Sequence, residues 1–120
     1  MLAVGLVLTG LTTGCGSQGA RNTIKLGGNL EMTGESASYG ISSRNGIELA
    51  LKEQNEKGGV LDKKVELVVA DNKSEATEAT NAMQKLIPQD RVIGVIGPNL
   101  SSVVIASTAV SGAAKTADIS

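Results

Sequence analysis

From Thr23 onward the apolar residues alternate between a repeat of two and a repeat of between three and four, and strand–helix alternation satisfies both. Residues 24–30 read as a first strand, where Gly27-Gly28 suggests close packing of a helix or a ligand against the backbone. A loop over 31–38 follows. Residues 39–55 then carry Ile47, Ala50 and Leu51 on one helical face, with Glu48, Lys52 and Glu56 turned outward. Lys57-Gly58-Gly59 ends that helix with a cation and two glycines. Residues 64–70 form a second strand, and 74–87 a second helix with Ala79, Ala82, Met83 and Leu86 facing inward. Ser74 is placed to cap this helix, and Glu75 and Glu78 suit its positive end. The unbroken apolar run at 92–97 suggests a strand covered on both faces, as in a parallel sheet. A third helix is expected from 101 to about 116, with Val103, Ala106, Ser107, Val110, Ala113, Ala114 and Ala117 inward. The order βαβαβα predicts the α/β class, as the first three βα units of a doubly wound parallel sheet. Residues 117–120 bring the chain just past the third helix, and a fourth strand is expected to come next. Three strands alone would leave the third as an apolar edge, so the chain reads as the first part of a longer protein.

Composition narrows the chemistry. The 120 residues are 41% hydrophobic, yet Tyr39 is the only aromatic, Cys15 is the only cysteine, and there is no Trp, Phe or His. Without His there is neither a Ser-His-Asp triad nor a His-ligated zinc. A lone Cys closes no internal disulfide. One ring builds no stacking platform, and a net charge of -1 supplies no phosphate-tracking excess, so no nucleic acid partner is expected.

All 11 Lys/Arg and all 12 Asp/Glu lie from Arg21 onward. Residues 1–11 are an apolar run too short for a membrane span, which needs roughly 20 residues. Their length suits the core of a secretory signal. Leu11-Thr12-Thr13-Gly14-Cys15-Gly16-Ser17 resembles a bacterial lipobox, with Leu one place earlier than usual. That resemblance implies a lipoprotein signal peptide over 1–14 with a short or missing basic start, lipidation of Cys15 and a flexible tether over 15–22. The alternative is a buried N-terminal strand with an incidental Cys. Gly14-Cys15-Gly16-Ser17-Gln18-Gly19 also fits the dinucleotide fingerprint G-x-G-x-x-G, but a strand rather than the required helix follows it.

Right-handed crossovers place the strands in the order 2-1-3 and put the switch point between strands 1 and 3. The loops at 31–39 and 97–102 meet there. The second leads into a helix beginning near Ser101-Ser102, whose unpaired N–H groups and hydroxyls can hold a carboxylate without a cation. Equally, Ser101 can simply cap its own helix. Tyr39 can wall an apolar pocket, or merely pack over the first helix. Asp71, at a strand end, is the one carboxylate suggestive of catalysis, and it lacks a partner acid, a His or a phosphate loop.

Several segments, taken in order, resemble the leucine/isoleucine/valine-binding family, the type I periplasmic binding proteins of ABC importers. They are Ile24-Lys25-Leu26-Gly27-Gly28, Met32-Thr33-Gly34, Tyr39-Gly40, Asn55-Glu56-Lys57-Gly58-Gly59-Val60, Val68-Val69-Ala70-Asp71-Asn72 and Val95-Ile96-Gly97-Pro98-Asn99-Leu100-Ser101-Ser102. Glu31 stands where that family commonly carries Pro, and Gln54 where it commonly carries an aliphatic residue. The resemblance implies that residues 23–120 are a partial N-terminal lobe of the ligand-binding domain of a two-lobed protein that closes on a small amino-acid ligand. It matches Ser101 to the serine on the ligand carboxylate, Asn99 and Leu100 to the loop lining that site, and Tyr39 to the aromatic beside the ligand side chain. It implies no catalysis and no cofactor, an ABC importer permease as partner, and a bacterial extracytoplasmic membrane location through lipid on Cys15. The same fold also serves as the sensing domain of receptors and regulators.

Overall fold

The computed structural model of the protein describes residues 22–120. The predicted signal and tether, including Cys15, lie outside the described residues, apart from Asn22. The elements run β1 (Thr23–Leu30), α1 (Ala37–Glu56), β2 (Lys64–Asp71), α2 (Ala76–Leu86), β3 (Gly94–Ile96), α3 (Ser101–Ala114) and β4 (Ala117–Ile119). They form a four-stranded sheet in the order β2-β1-β3-β4, and every pairing is parallel. The predicted order 2-1-3 holds. So does the α/β class, with one correction: a fourth strand is already present.

Helical spacing carries the apolar stripe of α3 on to Ala117, but the helix ends at Ala114 and Lys115 takes a left-handed φ of 52°. Ala117–Ile119 then pairs with β3, so β3 is an inner strand and the edge passes to β4, where Ile119 is 73% exposed. A run of three residues has too little periodicity to separate strand from helix end.

The core lies between the sheet and α2. Met83, Leu86, Val92 and Val95 are buried together, with Val68, Ala70, Ile87 and Val110 packed around them. All four predicted inward residues of α2 are buried. Gly27 is crowded by Leu86, Val92 and Val95, so the strand glycine makes room for α2 rather than for a ligand. On α3, burial falls on Val103, Ser107 and Ser111, while Ala113 and Ala114 of the predicted stripe are exposed.

The opposite face is only partly covered. The run at 92–97 was expected to be covered on both sides, but α1 leaves an open groove of about 420 Å³ beside β3 and β4, with Ile47, Ala50, Ile96 and Ile119 in its walls. The α1 helix accordingly buries a single residue, Gly40. Its outward charges pair along the helix, Arg44 with Glu48 at 2.7 Å and Lys52 with Glu56 at 4.0 Å.

Candidate functional site

The carboxyl ends of β1 and β3 lie side by side, because Leu26, Gly27 and Gly28 pair with Gly94, Val95 and Ile96. The β1–α1 and β3–α3 loops therefore meet, and each leads into the amino end of a helix. Gly97 permits the second turn: its φ is 86°, and a Cβ there would overlap the carbonyl of Asn29. The peptide bond from Gly97 to Pro98 is cis.

A row of polar side chains runs across these strand ends. Asn29 donates through Nδ2 to the carbonyl of Ala79 at 3.0 Å and accepts from Asn72 Nδ2 at 3.2 Å. Asn72 Nδ2 also approaches Glu31 Oε1 at 3.4 Å. The Glu31 carboxylate then receives the Asn99 backbone N–H at 3.0 Å, the Leu100 N–H at 3.4 Å and Asn99 Nδ2 at 2.6 Å. From α1, the Ser43 hydroxyl donates to Asn99 Oδ1 at 3.0 Å, closing the row. Asn29, Glu31 and Asn72 have no exposed surface, and among the described residues no buried side-chain polar atom lacks a partner.

A second cluster ties the β1–α1 loop to the end of β2. Asp71 accepts from the backbone N–H groups of Met32, Thr33 and Lys73 at 3.0, 3.1 and 2.8 Å, and from the Thr33 hydroxyl at 2.6 Å. Partial burial raises its pKa, but the Thr33 hydroxyl and the three N–H groups outweigh it, so the carboxyl sits below the usual carboxylate range. The one carboxylate suggestive of catalysis is thus engaged in closing a loop. Ser74 does similar work and does not cap α2, whose N-cap is Glu75, without a side-chain bond. Its hydroxyl donates to the Thr33 carbonyl at 3.0 Å and accepts the Ser36 N–H at 3.2 Å. A short side chain between two loops finds these backbone groups before those of its own helix.

The predicted site residues fall on this frame. Tyr39 lies inside the first turn of α1 rather than in the preceding loop, and 63% of it is exposed. Ser43, one turn along from Tyr39, joins α1 to the β3–α3 loop through Asn99. Leu100 is the N-cap of α3 and makes no side-chain capping bond, so Ser101 is the first helical residue and does not cap its own helix. Ser101 and Ser102 are exposed. The side chain of Asn99 is already divided between Glu31 and Ser43. Four residues of the frame, Asn29, Glu31, Ser43 and Asn72, were not among the sequence candidates. Polar residues ending apolar strands were the available signal for three of them, and Ser43 carried none.

The architecture has known counterparts. The profile of a family described as Periplasmic binding protein matches residues 23–120. The chain belongs to that family. A Leu/Ile/Val-binding protein of Rhizobium johnstonii is 37% identical over 86 residues, which are 72% of this chain and 23% of that protein. Among solved structures, the branched-chain amino acid transporter substrate-binding protein LivJ of Streptococcus pneumoniae, in complex with isoleucine, superposes with a TM-score of 0.77 at 36% identity, covering 82% of this chain and 30% of that one. A solute-binding protein of an ABC transporter from Rhodopseudomonas palustris, in complex with 3,4-dihydroxybenzoic acid, gives a TM-score of 0.74 at 28% identity, covering 81% and 26%. This family member therefore spans about a quarter of the length of the relatives it matches. Among its described residues no helix is long and apolar enough to cross a membrane.

Proposed function

We propose that this chain is the N-terminal part of the extracytoplasmic solute-binding component of an ABC importer, which captures a branched-chain or similar amino acid between two lobes. In this reading the N–H groups of the first turn of α3 and the Ser101 hydroxyl receive the ligand carboxylate, while Tyr39 lies along its side chain. Asn99 and Leu100 line the site between them. The work is done by lobe closure, which the ligand favours by binding the closed form better than the open one. No catalytic step is required.

The observation that carries this reading is the uncapped amino end of α3. Leu100 offers it no side-chain acceptor, Ser101 and Ser102 are exposed, and the Ser43–Asn99 bond holds it against the helix that bears Tyr39. Oriented N–H groups at such an end attract an anion, and an adjacent hydroxyl adds a donor. The R. palustris relative, solved with an aromatic acid, supports a second ligand class that would use the same carboxylate contacts.

Titration calorimetry of the full-length protein with leucine, isoleucine and 3,4-dihydroxybenzoate separates the two classes. Ser101→Ala should weaken binding of whichever ligand is taken by about 1–3 kcal/mol, the cost of losing a hydrogen bond to a charged group. Unchanged affinity would remove Ser101 from the site. We further propose that Cys15 carries the lipid that anchors the protein to the membrane. Metabolic labelling with palmitate should mark the wild type and not Cys15→Ala, and an unlabelled wild type would exclude the anchor.

A further inference from the structure

Glu31 is the only charged side chain among the described residues that is fully buried. Among the described residues no cation pairs with it: its partners are the Asn99 and Leu100 N–H groups and the side-chain amides of Asn99 and Asn72. All four of these groups are donors, the set that an ionised, acceptor-only carboxylate requires. The β3–α3 turn thus already holds one anion, on the amides immediately before the helix. The next N–H groups along, those of Ser101 and Ser102, are the ones left for a ligand. A guest carboxylate there would lie within about a helical turn of a fixed like charge, in surroundings less screening than water.

We propose that Glu31 is a specificity-determining residue of the ligand site: its buried charge disfavours a bare carboxylate and selects ligands that carry an ammonium beside it, amino acids over the matching organic acids. The proposal rests on the reading that places the ligand carboxylate at Ser101. A net anion meets the Glu31 charge uncompensated. A zwitterion meets it with a cation of its own, so the same residue costs it little. Specificity here is a difference between two affinities, created by a repulsive element against the wrong guest.

The test compares leucine with 4-methylpentanoate, the same skeleton without the amino group, by calorimetry on full-length wild type and Glu31→Gln. Glutamine keeps the volume. Its carbonyl can accept the Asn99 and Leu100 N–H groups, and the Asn99 side chain can turn to present oxygen to the new NH₂. The preference for leucine over 4-methylpentanoate should fall about ten-fold, through tighter binding of the acid. A merely structural role would weaken both ligands alike and leave their ratio unchanged, which would overturn the proposal. Glu31→Pro removes the charge by a different route, with the residue common at this position in the family that the sequence resembles, and should move the ratio the same way. If neither variant folds, Glu31 is a folding requirement and the proposal falls. Ser101→Ala, titrated with the same pair, separates the two ideas. Weakening of both ligands with a ratio insensitive to Glu31 removes the Glu31 proposal alone. No effect of Ser101→Ala removes the site and the proposal together.

Discussion

Replacing Gly40 with Ala is expected to destabilise the full-length protein by about 3 kcal/mol, in the direction opposite to helix propensity. In an exposed helix the same change gains roughly 0.5–1 kcal/mol, because Gly gives up more backbone freedom on folding. Gly40 is the one buried residue of α1, and an added Cβ would overlap the backbone carbonyl and nitrogen of Glu31. Neither partner is a flexible side chain, so the first turn of α1 must move away from β1. That shift carries Tyr39 with it and strains the Ser43–Asn99 bond, and ligand binding should weaken alongside stability. Gly46 on the same helix is the internal control, since nothing lies within 4 Å of its added Cβ. Gly46→Ala should stabilise slightly. Urea denaturation midpoints of the two variants, shifted to opposite sides of wild type, are the expected result; equal shifts would mean that the Gly40 contact does not hold α1 in place.

Asp71→Asn should cost about 2 kcal/mol at neutral pH, because a carboxylate with four donors becomes an amide whose NH₂ group faces donors. The pH dependence gives a sharper reading. The Asp71 pKa is lowered in the folded protein, so the unfolded chain holds the proton more tightly. Its contribution is therefore fully present above the unfolded value near pH 3.9 and is lost as the pH falls through the lower folded value. Wild type should lose stability to acid below about pH 4 more steeply than the variant, and the gap between them should narrow there. Parallel curves would show that Asp71 is not the group responsible. Loosening the β1–α1 loop in this way should also disturb the approach to Tyr39.

Different parts of the molecule were legible to different degrees. The inward face of α2 was read residue by residue, because Ala79, Ala82, Met83 and Leu86 repeat with the helix and pack on a sheet whose strands are equally periodic. The strand order also followed, since the handedness of crossovers leaves few arrangements. Ser74 departs from its expected capping role because capping is a local expectation, and its hydroxyl finds nonlocal backbone groups in the β1–α1 loop. The end of α3 is not legible in the sequence because a short alanine-rich tail fits a helix as well as a strand, and pairing with β3 decides between them.

The candidate site divides along the same line. The sequence alone determined that glycine, proline and serine would follow the third strand into a helix, and that the single aromatic would lie near the switch point. These are consequences of local periodicity and chain handedness. Only the tertiary structure decided that Glu31 supplies the acceptor for the Asn99 and Leu100 amides, across 68 and 69 residues of chain. It likewise decided that Asn72 and Asn29 are buried beside that carboxylate. Hydrogen-bond partners between loops depend on how closely packed elements approach, and a buried polar group must find them among whatever the topology brings near. No spacing along the chain encodes that choice.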